Sequence, residues 1–144
     1  MAETMNRKRV LILCTGNSCR SQMAEGWVRH DLDRCWEVAS AGTSPASIVH
    51  PLAVRVMAEA GVDISGHRPK HVDSLARASW ELVVTVCDSA REACPVFPAA
   101  AEQIHMGFPD PISVLGSEDE RLAAYRAVRD DIRARLVPEI ARRT

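Results

Sequence analysis

The stretch of sequence that decides the fold is Lys8-Arg-Val-Leu-Ile-Leu-Cys14, followed directly by Thr-Gly-Asn-Ser-Cys-Arg20-Ser21. Its first part is a short, unbroken apolar run, which is typical of a β-strand covered on both faces of a parallel sheet. Its second part is polar and contains Gly16 and Asn17, two residue types that tolerate a left-handed backbone. A helical pattern begins at Ser21. The sequence therefore predicts a strand, a tight loop and a helix in immediate succession.

Strand and helix patterns alternate along the rest of the chain. Further strands are predicted at 36–41, 81–86 and 102–106, and helices at 21–32, 51–60, 88–94 and 118–142, with one or two helical turns at 72–78. Pro138 is expected to bend or end the last helix. Since no linker or repeat divides the chain, we expect one α/β domain over residues 1–144: a four-stranded parallel sheet flanked by helices, with right-handed crossovers.

Composition narrows the range of partners. The chain has 144 residues and a formal net charge of -1, which gives no electrostatic reason to bind nucleic acid or an anionic membrane. Aromatic residues make up 4%, too few for base-stacking platforms. No segment approaches the ~20 apolar residues of a membrane span, and the polar start does not resemble a secretion signal. We expect a monomeric, cytoplasmic protein.

Five cysteines, an odd number, are unusual in a chain of this size. In a reducing compartment thiols are kept for packing, metal binding or redox chemistry rather than for fixed bridges. No two cysteines have Cys-x2-Cys spacing, so we expect no metal and no bound cofactor. Cys35 is expected only to pack.

The Cys-x5-Arg loop from Cys14 to Arg20 is the strongest functional signal. Its backbone N–H groups can turn inward as an anion nest, and the following helix directs its positive end at the same point. Arg20 can donate two hydrogen bonds to a tetrahedral oxyanion, and the same field favours the thiolate of Cys14 by lowering its pKa. Ser21 is expected to support that sulfur or to cap the helix. The residues expected to surround the anion are Thr15, Gly16, Asn17, Ser18, Cys19 and Ser21.

Asp110 is held between Pro109 and Pro111, in a loop after the last predicted strand. The two prolines restrict the backbone conformation around Asp110. Such a restriction is typical either of an ordinary turn or of a loop that holds an acid in a fixed position. An oxyanion bound to Cys14 must lose hydroxide or alkoxide, and a neutral carboxylic acid would protonate that leaving group. We therefore predict that Asp110 is the general acid.

These motifs resemble the low-molecular-weight tyrosine phosphatase superfamily, which has Cys-x5-Arg-Ser near its N-terminus and Asp-Pro near its C-terminus. The stretches 14–27, 40–42 and 83–95 are more similar to its thioredoxin-coupled arsenate reductase branch. Phosphatases of this superfamily follow Asp-Pro with tyrosines that line a ring slot, whereas Ile112 and Ser113 stand here, which favours a small inorganic oxyanion. The resemblance implies a phosphatase-like fold, arsenate as substrate, phosphate or sulfate as occupying anions, thioredoxin as external reductant, Cys14 as nucleophile, Arg20 as clamp, Asp110 as acid, and Cys87 and Cys94 as redox relay.

The spacing of Cys87 and Cys94 restricts how such a relay could work. In a helix, seven residues separate two Cα atoms by about 10 Å, whereas a disulfide needs roughly 4.4–6.8 Å. A bond between them therefore requires the 88–94 segment to unwind.

Two alternative functions stay open: a phosphatase of aryl phosphates, and a non-catalytic thiol sensor or metalloid binder. A glutathione- or mycothiol-linked reductant is an alternative to thioredoxin.

Overall fold

The computed structural model describes residues 7–75, 78–87 and 100–144. Among these residues the strands are β1 (Lys8–Cys14), β2 (Trp36–Gly42), β3 (Trp80–Thr85) and β4 (Ala100–His105). The α-helices are α1 (Arg20–Leu32), α2 (Pro51–Glu59) and α3 (Glu118–Ala141), and short 3-10 turns lie at Val72–Leu75 and Pro111–Ser113. None of the helices in the described ranges is both long enough and apolar enough to span a membrane.

All four strands are parallel, in the order β2-β1-β3-β4. The chain moves from β1 to β2 on one side and then crosses to β3 on the other, so the strand order reverses between β1 and β3. In open parallel sheets, ligands bind beyond the carboxyl ends of the strands at such a reversal. β1 ends at Cys14, and Cys87 lies two residues beyond the end of β3. The topology therefore brings both cysteines to the same crevice.

The two faces of β1 pack against different layers. Val10, Ile12 and Cys14 belong to a large buried cluster that includes residues of all three helices. Leu11 and Leu13 face a smaller cluster, which also contains Trp80 and is covered by the 72–75 turn. In a strand that is buried on both faces, no side chain points to solvent. This explains why the segment is apolar without interruption.

The predicted α/β architecture and its four-stranded parallel sheet are confirmed, with element ends shifted by one or two residues. Helical turns predicted at 72–78 are present at 72–75, as a 3-10 turn. α3, predicted over 118–142, continues through Pro138 to Ala141, so the proline does not end the helix. The predicted helix at 88–94 lies outside the described residues.

α3 begins with a capping box. The Ser117 hydroxyl accepts from the Glu120 backbone N–H at 3.1 Å, and the Glu120 carboxylate accepts from the Ser117 N–H at 3.0 Å. We predict that Ser117→Ala lowers the free energy of unfolding by about 1 kcal/mol, measured by urea titration, because the Glu120 backbone N–H loses its acceptor. Ser117→Asp, which keeps an acceptor, should retain most of the stability. Equal losses in both variants would contradict the capping role.

Candidate active site

The backbone carbonyls of the loop after β1 point away from the crevice. Thr15, Gly16 and Ser18 accept hydrogen bonds at 2.9, 2.9 and 3.0 Å from the N–H groups of Ser44, Ala46 and His50 in the segment that follows β2. The Asn17 carbonyl accepts from the Gln22 side chain at 3.1 Å. In a trans peptide the C=O and N–H point in opposite directions. The N–H groups of residues 16 to 19 therefore point inward, where they form the predicted anion nest.

Asn17 adopts the left-handed backbone that this reversal requires, with φ of 50°. Hydrogen bonds of its buried side-chain amide hold that conformation. The nitrogen donates to Ser21 Oγ at 2.8 Å and Ser40 Oγ at 2.9 Å. The oxygen accepts from Gln22 Nε2 at 3.0 Å and from the Lys70 N–H at 2.9 Å. Asparagine suits this position because it tolerates positive φ and offers both donors and an acceptor.

Gly42, at the end of β2, lies directly against the loop. A Cβ atom on this residue would stand 2.4 Å from the carbonyl oxygen of Thr15 and 3.1 Å from the amide nitrogen of Asn17. Both neighbours are backbone atoms of the nest, so they cannot rotate out of the way. Residue 42 must therefore be glycine, because a side chain there would clash with the backbone of the loop.

A cavity of about 170 Å³ opens above the nest. Arg20, at the start of α1, is 4% exposed, and it donates to the Phe108 carbonyl at 3.3 Å and lies 3.5 Å from the Asp110 carboxylate. Asp110 also accepts from the Ile112 N–H at 3.0 Å, which fixes the turn after the proline. The residues lining the cavity are Cys14, Thr15, Gly16, Ser18, Cys19, Arg20, Asp110 and Ile112.

Cys87 lies close to Cys14 because their strands are neighbours. Leu13 pairs with Thr85, and the Val86 N–H donates to the Leu13 carbonyl at 2.9 Å. Adjacent strands are about 4.8 Å apart, which places Cys87 one residue beyond the position opposite Cys14. Cys87 is buried and carries a disulfide, whereas Cys14, Cys19 and Cys35 are not part of a disulfide. Cys94 lies outside the described residues.

Cys19 is the second thiol in the wall of the cavity. Its Sγ lies 3.8 Å from the hydroxyl of Tyr125, a fully buried residue of α3. Burial raises the pKa of Cys19 to about 12, with a further contribution from the Asp110 charge, although the Tyr125 hydrogen bond acts in the opposite direction. Cys19 therefore stays protonated near neutral pH.

Several predictions of site residues can now be located. Thr15 to Cys19 lie in the loop between β1 and α1, whereas Ser21 lies inside α1 and the N-cap is Cys19, so the helix-capping alternative is wrong. Gln22, Gly42 and Tyr125 were not predicted as site residues. Of these three, only Gly42 has a recognisable sequence signal, a glycine at the end of a strand on the ligand side of the sheet. The contacts of Gln22 and Tyr125 arise from tertiary packing.

These features define a class of protein: an α/β domain whose first strand and first helix enclose an oxyanion-binding loop with a cysteine at one end and an arginine at the other. A family model described as low molecular weight phosphotyrosine protein phosphatase matches residues 9–140, and the chain belongs to that family.

Within this family the chain is similar to arsenate reductases. That of Halalkalibacterium halodurans is 46% identical over 132 residues, which cover 92% of this chain and 94% of that protein. A solved arsenate reductase in a phosphate-binding state has a TM-score of 0.74 and 30% identity, over 94% of this chain and 98% of that one. A thioredoxin-dependent arsenate reductase of Corynebacterium glutamicum has a TM-score of 0.68 and 30% identity, over 96% and 64%.

We predict that Gly42→Ala weakens oxyanion binding by about 100-fold, since the new methyl group displaces the Thr15 carbonyl and with it the nest. The phosphate dissociation constant, measured by protection of Cys14 from iodoacetamide, would report this. Gly66→Ala is the matched control, because a Cβ there meets no atom within 4 Å. Unchanged phosphate binding in Gly42→Ala would contradict this prediction, because it would show that the loop accommodates the methyl group.

We also predict that Cys19 does not share the chemistry of Cys14. Because burial keeps Cys19 protonated, iodoacetamide at about pH 8 should label Cys14 well before Cys19, as followed by peptide mass spectrometry. Cys19→Ser should change phosphate binding by less than about threefold, since a hydroxyl keeps the contact with Tyr125. Equal labelling rates for Cys14 and Cys19 would contradict this.

Proposed function

We propose that this chain reduces arsenate to arsenite through a cysteine relay, with weak phosphatase activity as a by-product of the same loop. The observation that carries the proposal is the juxtaposition at the carboxyl edge of the sheet: Cys14 within an anion nest on β1, and Cys87 just beyond the end of the neighbouring β3. A nest with one thiol suffices for a phosphatase. A second thiol just beyond the next strand is what a two-electron reduction requires.

In the first step, arsenate binds the inward N–H groups and Arg20, as phosphate or sulfate would. The Cys14 thiolate attacks arsenic, and one oxygen leaves as water after Asp110 has donated a proton to it. The product is an arsenylated Cys14. Arg20 contacts Asp110 at 3.5 Å before substrate enters, so clamp and acid already face the same cavity.

In the second step, the Cys87 thiolate attacks the sulfur of Cys14. An S–S bond forms, the S–As bond breaks, and its electron pair goes to arsenic, which leaves as arsenite in the trivalent state. Cys94 then attacks Cys87 by thiol–disulfide exchange and releases the Cys14 thiolate. The disulfide that Cys87 carries in the structure is consistent with its role as an acceptor of electrons from a reductant.

The cavity supports a small inorganic substrate. None of the described residues that line it is aromatic, and Ile112 stands where a ring slot would need an aromatic wall. Phosphate can occupy the same nest, but phosphorus(V) does not accept the electron pair. The thiols therefore select arsenate as the productive ligand.

A dithiol protein of the thioredoxin class is the reductant that fits best, because it returns two electrons to the Cys87–Cys94 bond. A similar fold in the thioredoxin-dependent enzyme of C. glutamicum supports this choice. Since the reduced thiols of Cys14 and Cys35 need a reducing compartment, we infer that the enzyme acts in the cytoplasm, and as a monomer, with no metal or bound cofactor.

The deciding experiment measures arsenate-dependent NADPH oxidation with thioredoxin and thioredoxin reductase. Cys87→Ser should abolish turnover while a slow hydrolysis of aryl phosphate survives, because that hydrolysis needs only the loop and Asp110. Asp110→Asn should lower both activities, by about 100-fold or more, since each first step needs the proton. Cys35→Ser is the matched control and should behave as wild type.

The opposite pattern would overturn the proposal. A wild-type protein that is idle with arsenate but fast on phosphotyrosine would be a phosphatase. Turnover that persists in Cys87→Ser would remove the relay.

A further inference from the structure

A closed ring of hydrogen bonds lies behind the oxyanion loop. Glu25 accepts from Ser40 Oγ at 2.6 Å, and Ser40 accepts from Asn17 Nδ2 at 2.9 Å. On the other side, the Asn17 carbonyl accepts from Gln22 Nε2 at 3.1 Å, and Gln22 Oε1 lies 3.0 Å from His67 Nδ1. The two arms start at the same loop residue and end at Glu25 and His67.

Arg29 joins the two ends. Its Nη2 donates to Glu25 Oε2 at 2.6 Å, and its Nη1 lies 2.9 Å from His67 Nε2. Arg29 is four residues after Glu25, so successive turns of α1 bring the pair together. The fork of the guanidinium allows one side chain to contact both groups.

The Arg29 contact also determines which ring nitrogen of His67 carries the proton. A guanidinium can only donate, so Nε2 must accept and Nδ1 must carry the hydrogen that it gives to Gln22 Oε1. That fixes the orientation of the Gln22 amide, whose nitrogen then faces Asn17. Burial lowers the pKa of His67, which keeps the ring neutral as this arrangement requires.

Glu25 makes the charge of Arg29 necessary. Its side chain is 7% exposed, and its ion-pair partners among the described residues are Arg29 at 2.6 Å and His67 at 3.9 Å. Since His67 is neutral, Arg29 alone balances the carboxylate. A buried carboxylate without a counter-charge disrupts its surroundings, and here the surroundings are the anchors of Asn17.

We propose that Arg29 is a positioning residue for the oxyanion loop. It touches neither substrate nor cavity lining, but through Glu25 and His67 it holds the left-handed Asn17, and with it the inward N–H groups. The inference deepens the proposed function by naming what keeps its anion site preorganised, and it rests only on the oxyanion-binding part of that function.

The test compares Arg29→Met, Arg29→Lys and Arg126→Met. Arg126 is the matched control, because it pairs with Glu59 at 2.7 and 2.8 Å between α3 and α2 and, among the described residues, has no hydrogen bond to the loop. The measurements are the phosphate dissociation constant, from protection of Cys14 against iodoacetamide, and the pH profile of Cys14 alkylation without phosphate. Neither needs arsenate turnover, so they can succeed even if the reductase assay fails.

We expect Arg29→Met to weaken phosphate binding by about tenfold and to move the alkylation profile of Cys14 to higher pH, since misplaced N–H groups stabilise both anions less. Arg29→Lys keeps the charge but not the fork, so it should fall in between. Arg126→Met should change neither quantity, even if it lowers the melting temperature. Arg29→Met indistinguishable from Arg126→Met in both measurements would overturn the proposal.

The double variant Glu25→Gln with Arg29→Met keeps the test decisive if the single variant does not fold. It removes the buried charge together with its partner, while the amide oxygen still accepts from Ser40. Because the bridge to His67 is lost but no uncompensated charge remains, we expect phosphate binding to be weakened by about threefold. Wild-type binding in a folded double variant would overturn the role of the bridge to His67, and binding weakened by much more than tenfold would overturn the role of charge balance.

Discussion

The constraint on which the structure depends is that four consecutive peptide groups turn their N–H groups to one point. Such an arrangement leaves four carbonyls facing away from the ligand, and buried carbonyls need partners. The segment after β2 supplies three of those partners, and Gln22 supplies the fourth. The left-handed Asn17 and the close approach of Gly42 follow from the same geometry. An anion site that looks like one loop is therefore built by three separate segments.

The parts of the fold that could be predicted from sequence are those with a strong local signal. β1 was predicted to the residue, because both of its faces are buried and its ends are marked by charge and by glycine. The ends of β3 and β4 shifted by one or two residues, since hydrogen bonds to the neighbouring strand set them. The 72–75 turn was predicted as part of a longer helical segment because its few apolar residues do not distinguish helix types.

The candidate site shows the same division. Cys14, Asn17 and Arg20 could be predicted because the residue types required by a nest, a nucleophile and a clamp occur together within seven positions. The residues that hold this loop in position could not be predicted. Arg29 and Tyr125 belong to helical patterns that read as ordinary surface and core, and their roles depend on which residue lies opposite after folding.

The strand order has a consequence for how such proteins can diverge. Apart from Tyr125 and Phe108, which contact Cys19 and Arg20, the described residues that shape and brace the anion nest lie before residue 76, whereas Asp110 and Cys87 come after residue 80. On the proposed mechanism, the first half supplies the anion nest and the nucleophile Cys14, and the second half supplies the proton donor and the second thiol. Changes around Asp110 and Cys87 would then alter the fate of the bound anion without rebuilding the nest that holds it.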